Sequence, residues 1–147
     1  MTTLSFFDID ETVFNTFAKV IVKDKDGKKV KELTNQDFNK YKLKPGEKYE
    51  FDQFTNAKLF RDTSKVIDSV MKKVKEEYKN KDTIIFFLTA RPDFDSNSMF
   101  KDTFRAQGLR VNDKRIRFEL AGNLAKGTIP QKKEYIINKQ IDRLGPG

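Results

Sequence analysis

The chain has 147 residues, 37% of them hydrophobic, which is enough for one compact domain with its own core and argues against a long disordered protein. It contains neither cysteine nor histidine, so disulfides, thiolate zinc sites, cysteine nucleophiles and imidazole bases or ligands are excluded, and carboxylates must carry any acid/base work. Lys plus Arg total 30 against 22 acids, a formal charge of +8 that favours polyanionic partners, although the lysines are interspersed with acids as on an ordinary solvated surface.

The N-terminal stretch Thr2–Phe7 has no basic leader ahead of a long apolar run, and no later segment approaches the roughly 18 apolar residues of a membrane helix. A soluble cytoplasmic protein without a membrane partner is the expectation. Leu4 to Ile9 is short, apolar and rich in phenylalanine, and it stops at Asp8-Ile9-Asp10-Glu11-Thr12, the pattern of a buried strand ending in a polar loop. Lys19–Lys23 and Lys28–Leu33 flank Asp26-Gly27 and predict a hairpin. Pro45-Gly46 signals a turn, and Lys48–Phe51 a further short strand; residues 18–56 together read as an insertion.

Thr63 or Ser64 is placed to cap a helix whose apolar positions are Val66, Ile67, Val70, Met71, Val74 and Tyr78. The continuous run Thr83–Leu88 fits a parallel strand buried on both faces, ending at Thr89-Ala90-Arg91-Pro92. A second amphipathic helix carries Met99, Phe100, Phe104 and Leu109, with Gly108 near its C-cap. A third strand spans Ile116–Leu120, and Pro130 opens a last helix bearing Tyr135, Ile136, Ile137 and Ile141. Strands alternating with helices predict an α/β fold with a mostly parallel sheet.

Asp8 and Asp10 leave the first strand two residues apart, so both carboxylates can project to one side while Ile9 turns the other way. Such a pair can divide the labour of phosphoryl transfer. One ionised carboxylate attacks phosphorus, and the other, kept protonated by its charged neighbour, protonates the leaving oxygen and later deprotonates water. Adjacent carboxylates also attract Mg²⁺, which keeps waters and substrate phosphate among its ligands. Taken alone, Asp-x-Asp equally fits a turn with capping acids. An EF-hand calcium loop would need glycine where Val13 stands. A hydroxyl at Thr89, on the carboxyl end of a parallel strand, can reach the same phosphoryl group, and Arg91 adds positive charge; alone, they read as a cap and an ion-pairing surface arginine.

The segment Phe6–Phe14, hydrophobic residues followed by Asp-x-Asp-x-Thr, resembles the first motif of the haloacid dehalogenase-like (HAD) phosphohydrolases, and Ile84–Thr89 resembles the second. The resemblance implies a three-layer Rossmann-like fold over residues 1–147 in which 18–56 form a small β-hairpin flap. It implies that Asp8 is the nucleophile, Asp10 the acid/base, and Thr89 the residue that orients the phosphoryl group; Thr12 and Arg91 are the substrate-binding candidates beside them. Mg²⁺ would be held by Asp8 through its carboxylate and by Asp10 through its carbonyl. The third motif of the family, a lysine near a helix start, matches Lys133 best, with Lys132 and Lys126 as rivals. The fourth, a strand ending in paired acids, has no match up to Gly147, which leaves the first strand as a sheet edge through which oligomers can form.

The substrate class implied is a phosphorylated small molecule, a nucleotide or a nucleic-acid terminal phosphate, and the composition resembles that of small family members from tailed bacteriophages. Phe38, Tyr41, Tyr49, Phe51 and Phe54 of the insertion can stack on bases or pack a core. The competing reading is a catalytically silent relative that binds nucleic acid or a protein through its basic surface.

Overall fold

The computed structural model describes residues 2–123 and 136–137. In chain order the elements are β1 (Thr3–Asp8), β2 (Phe14–Asn15), β3 (Val20–Lys23), β4 (Lys29–Leu33), α1 (Asn35–Lys40) and β5 (Lys48–Glu50). A 3-10 turn at Asp52–Thr55 leads to α2 (Ala57–Thr63), β6 (Lys65–Val66), α3 (Asp68–Tyr78), β7 (Thr83–Thr89), α4 (Asn97–Arg105) and β8 (Ile116–Leu120), followed by a 3-10 turn at Ala121–Asn123.

The molecule is a mixed α/β structure built on a parallel sheet of order β1-β7-β8. β1 and β7 run in register from Thr3 opposite Thr83 to Asp8 opposite Leu88. Alternate residues of these strands serve two cores. Phe7, Ile85, Phe87 and Ile116 join Met71 and Val74 of α3 and Phe100 and Phe104 of α4 on one side. On the other, Leu88 packs with Ala121 and Ile136, and Phe6 and Ile137 lie against them. Phe6 stacks on Phe86 there, with ring centroids 4.9 Å apart. Both faces of the strands are covered, which explains why β7 is apolar at nearly every position. Among the described residues β1 is an edge of this sheet, as the sequence suggests.

The predicted hairpin is β3 and β4, and β5 adds to the other side of β3 to complete an antiparallel sheet of order β4-β3-β5. The Asp24 carboxylate sets the turn by accepting from the backbone nitrogens of Asp26 (2.9 Å) and Lys28 (3.0 Å). Gly27 follows at φ +83°, a conformation costly for any residue with a Cβ. Val20, Val22 and Leu33 form a small core here, flanked by Phe38, Tyr41, Tyr49 and Phe54.

The helix expected to begin after Thr63 or Ser64 starts four residues later. Lys65 and Val66 instead form β6, antiparallel to β2, and Ile67 donates its backbone N–H to Val13 (2.9 Å), so α3 begins at Asp68. Two helices arise inside or beside the predicted insertion. Thr34 and Asp37 form a reciprocal capping box for α1, and Asn56 caps α2 through the backbone N–H of Leu59. Ser96 caps α4 in the same way through Met99 (3.2 Å), and Gly108 stands beyond its end at φ +89°. Lys126, Lys132, Lys133 and the helix opening at Pro130 lie outside the described residues; Ile136 and Ile137 are helical. Among the described residues no helix is long and apolar enough to cross a membrane.

Candidate active site

The carboxyl ends of β1 and β7 lie side by side. Ile9 extends their pairing by donating to the Leu88 carbonyl (2.9 Å), and the chain then turns sharply. The Ile9 carbonyl accepts from the backbone nitrogens of Thr12 (3.3 Å), Val13 (3.1 Å) and Phe14 (3.1 Å). Glu11 adopts φ 61° inside this turn, left-handed geometry unusual for a residue with a side chain, and its N–H donates to Phe14 (2.8 Å). Burial of Ile9, Val13 and Phe14 on the core side holds the turn. Asp8 therefore stays exposed and Asp10 half-buried, the alternation expected from the sequence.

Asp10 is the hub. One carboxylate oxygen accepts from the Thr16 hydroxyl (2.8 Å) and from Nε (3.1 Å) and Nη2 (2.6 Å) of Arg91; the other accepts from the Thr89 hydroxyl (2.8 Å). The Thr89 oxygen in turn accepts the Arg91 backbone N–H (3.2 Å). Arg91 is itself buried, with 5% exposure, and its guanidinium lies 5.2–5.5 Å from the ring centroids of Phe54, Phe60 and Phe94. Its Nη1 donates to the Phe54 carbonyl (3.3 Å). Burial pushes the Asp10 carboxyl up, but the Arg91 charge and the hydrogen bonds from Arg91, Thr89 and Thr16 outweigh it and hold the group below its ordinary value. In this arrangement Asp10 is ionised at neutral pH. The sequence reading has it kept protonated by a charged neighbour; the neighbour that reaches it is cationic, and the shift runs the other way.

Among the predicted residues, Asp8, Asp10, Thr89 and Arg91 come together at the ends of the two strands. Arg91 is committed to Asp10 and to the main chain rather than offered to a ligand at the surface. Thr12 sits half-buried in the turn after Asp10, and it is Thr16 that bonds Asp10. Lys133 lies outside the described residues. Thr16, the Phe60 and Phe94 rings beside Arg91 and Gly122 carry no local signal in the sequence that marks them as part of the site. Gly122 donates its N–H to the Arg91 carbonyl (3.2 Å), and a Cβ there would meet Pro92 N at 2.5 Å and Ala90 O at 2.7 Å. The loop after β8 is thus pressed directly against the Ala90–Pro92 backbone.

Comparison with protein-family models, curated proteins and solved structures gives no match. One exposed carboxylate, that of Asp8, suits an ion that keeps its waters and completes its shell with substrate phosphate, as Mg²⁺ does. Among the described residues no group of three or more acids forms a cage made of protein ligands alone. The exposed Asp8 carboxylate is a donor of the kind such an open Mg²⁺ shell uses, whereas the Asp10 carboxylate is taken up by Arg91, Thr89 and Thr16.

Proposed function

We propose that the chain is a Mg²⁺-dependent phosphatase of the haloacid dehalogenase-like type, with the β4-β3-β5 sheet as a small flap on a Rossmann-like core. The observation that carries this reading is the Thr89 hydroxyl at the end of β7 bonded to Asp10, two residues from Asp8 at the end of the adjacent parallel strand. Ligands of open α/β sheets bind at such strand ends.

In the reaction an Asp8 carboxylate oxygen attacks phosphorus while the bond to the leaving oxygen breaks, giving an aspartyl-phosphate and an alkoxide that takes a proton from Asp10. Asp10 then removes a proton from water, whose oxygen attacks the same phosphorus and returns Asp8 and inorganic phosphate. For its first task Asp10 has to be protonated, which the incoming phosphate dianion favours by like-charge repulsion and by competing for Arg91. The Thr89 hydroxyl orients the phosphoryl oxygens. Asp8, with the Asp10 carbonyl, would hold Mg²⁺, which would supply charge neutralisation for phosphate beside a carboxylate.

The test is Mg²⁺-dependent hydrolysis of an aryl phosphate by the chain and by Asp8→Asn. Turnover abolished by the substitution supports the reading; equal rates in both proteins, or none in either, sink it. The ionised Asp10 locked to Arg91 favours a second reading, a catalytically silent relative that binds nucleic acid through its basic surface. That reading predicts nucleic-acid affinity falling steeply with salt, in proportion to the phosphates contacted, and unaffected by Asp8→Asn.

A further inference from the structure

Between the antiparallel sheet and the end of β7 lies a half-open cavity of about 370 Å³. Val20, Phe38, Phe51 and Phe54 wall it on one side, and Ala90, Arg91 and Pro92 on the other, with Asp10 reaching its edge. Its size is in the range of small-molecule sites, and its lining is mostly apolar with few polar groups, as such sites require. Val20, Phe38 and Phe54 belong to the small core of the antiparallel sheet, whereas Phe51 does not. Phe51 keeps 48% of its surface exposed although its ring lies 5.8 Å from Phe38, 6.0 Å from Tyr49 and 6.3 Å from Phe54. Phe51 is thus a largely exposed aromatic ring among the residues that line the cavity, open to a flat ligand.

We propose that this cavity takes the base of a mononucleotide whose phosphate is presented to Asp8. The inference rests on the phosphatase reading and adds the substrate class to it. Three considerations select this occupant. Phenylalanine rings stack on any base, so the wall recognises a flat heteroaromatic group without a dedicated hydrogen-bond code. Asp10 lines the cavity and stands two residues from Asp8, so cavity and nucleophile adjoin, and a pentose is the link between a base in the one and a phosphate at the other. The net charge of +8 favours a phosphorylated ligand over an equally flat neutral one. The cavity holds one nucleotide, so a longer strand gains nothing from it beyond its terminal residue.

Phosphate release from adenosine 5′-monophosphate, ribose 5-phosphate and a 5′-phosphorylated oligonucleotide separates the possibilities, with kcat/KM measured for the wild type, Phe51→Ala and Phe51→Tyr. The base is expected to raise kcat/KM for the mononucleotide over the sugar phosphate by roughly 5- to 150-fold, the worth of one stacked base. Phe51→Ala should lower that ratio toward one, and Phe51→Tyr should restore it. Equal rates on nucleotide and sugar phosphate, a ratio indifferent to Phe51, or preference for the oligonucleotide overturns the proposal while leaving the phosphatase reading intact. If no ester is hydrolysed, equilibrium dialysis of adenosine 5′-monophosphate against wild type and Phe51→Ala still decides. Binding weakened by the substitution upholds the pocket without the enzyme, and absence of binding overturns it.

Discussion

Gly122→Ala probes the closest backbone approach at the site. The added Cβ would stand 2.5 Å from Pro92 N, 2.7 Å from Ala90 O and 2.7 Å from the Arg91 carbonyl carbon, all main-chain atoms that cannot rotate away. Restoring ordinary contact requires the two loops to separate by about 1 Å, a displacement of the kind that overpacking forces at a cost of about 1–3 kcal/mol. The Gly122 to Arg91 hydrogen bond, 3.2 Å at rest, breaks with it and costs about another 1 kcal/mol. A total of about 2–4 kcal/mol corresponds to a Tm lower by about 4–16 °C for a chain of this size. Because the displaced segment carries Arg91, whose Nη2 sits 2.6 Å from Asp10, kcat/KM for an aryl phosphate should fall by about 100-fold, the usual consequence of a 1 Å misplacement. Gly27→Ala is the control. Nothing lies within 4 Å of a Cβ there, so it should cost only the left-handed strain of about 1–2 kcal/mol in the β3–β4 turn and spare Asp10. Scanning calorimetry and initial rates on the three proteins read both effects. A Gly122→Ala protein with wild-type Tm would refute the reasoning, because it would mean that the Ala90–Pro92 loop yields freely.

Arg91→Met should destabilise the fold by about 3 kcal/mol, at the lower end for a broken buried pair because the Asp10 side chain keeps 23% exposure and two hydroxyl donors; a urea titration with unchanged midpoint would count against the pair. The folded-state pKa of Asp10 lies below the ordinary 3.8, so the native state binds this proton more weakly than the unfolded chain does. Its contribution to stability is therefore complete above about pH 5 and is lost as pH falls through 3.8 toward the folded value. Tm measured against pH should drop more steeply there for the wild type than for Asp10→Asn, and parallel curves would show that another group controls the acid limb. Thr16→Val removes one of the donors to Asp10 and should cost about 1 kcal/mol, recovered in Thr16→Ser, by the same titration.

The parallel sheet was legible because a strand buried on both faces has no polar alternation to blur it: Ile84–Leu88 stands out as an unbroken apolar run, and Phe6-Phe7 ahead of Asp8 marks its neighbour. The hairpin was legible because Asp-Gly at residues 26–27 leaves few alternatives. The start of α3 was not. Val66 and Ile67 fit the helical period as well as a strand, and what decides is pairing with Phe14 and Val13, some 50 residues earlier in the chain. α1 and α2 carried local signals in Thr34-x-x-Asp37 and in Asn56 before Ala57-Lys58-Leu59-Phe60, but both lie in or against a stretch read as a β-hairpin insertion. At the site, the acidic pair and Thr89 were visible as strand-end residues. Their electrostatics were not, because Asp10 and Arg91 are 81 residues apart and nothing local marks one as the partner of the other.

That pairing changes how the site is understood. Arg91 reaches in two directions, its Nε and Nη2 to Asp10 and its Nη1 to the Phe54 carbonyl, so the catalytic candidate and the wall of the aromatic cavity are bonded to one side chain. Asp95 reinforces the link from the same loop: its N–H donates to Thr55 (2.9 Å), and its carboxylate accepts the N–H of Ala57 (3.0 Å) at the start of α2. The Lys19 N–H, entering β3, is likewise held by the Gln53 side chain (2.8 Å). The segment Gln53–Ala57 is thus fastened to both the antiparallel sheet and the β7–α4 connection, and the cavity wall is pre-set rather than assembled by the ligand. A site organised this way spends little ligand binding energy on ordering its own side chains. On the proposed phosphatase reading, what remains free to change is the Arg91 contact with Asp10, where an arriving phosphate would compete for the guanidinium and, by its charge, return the proton that Asp10 needs.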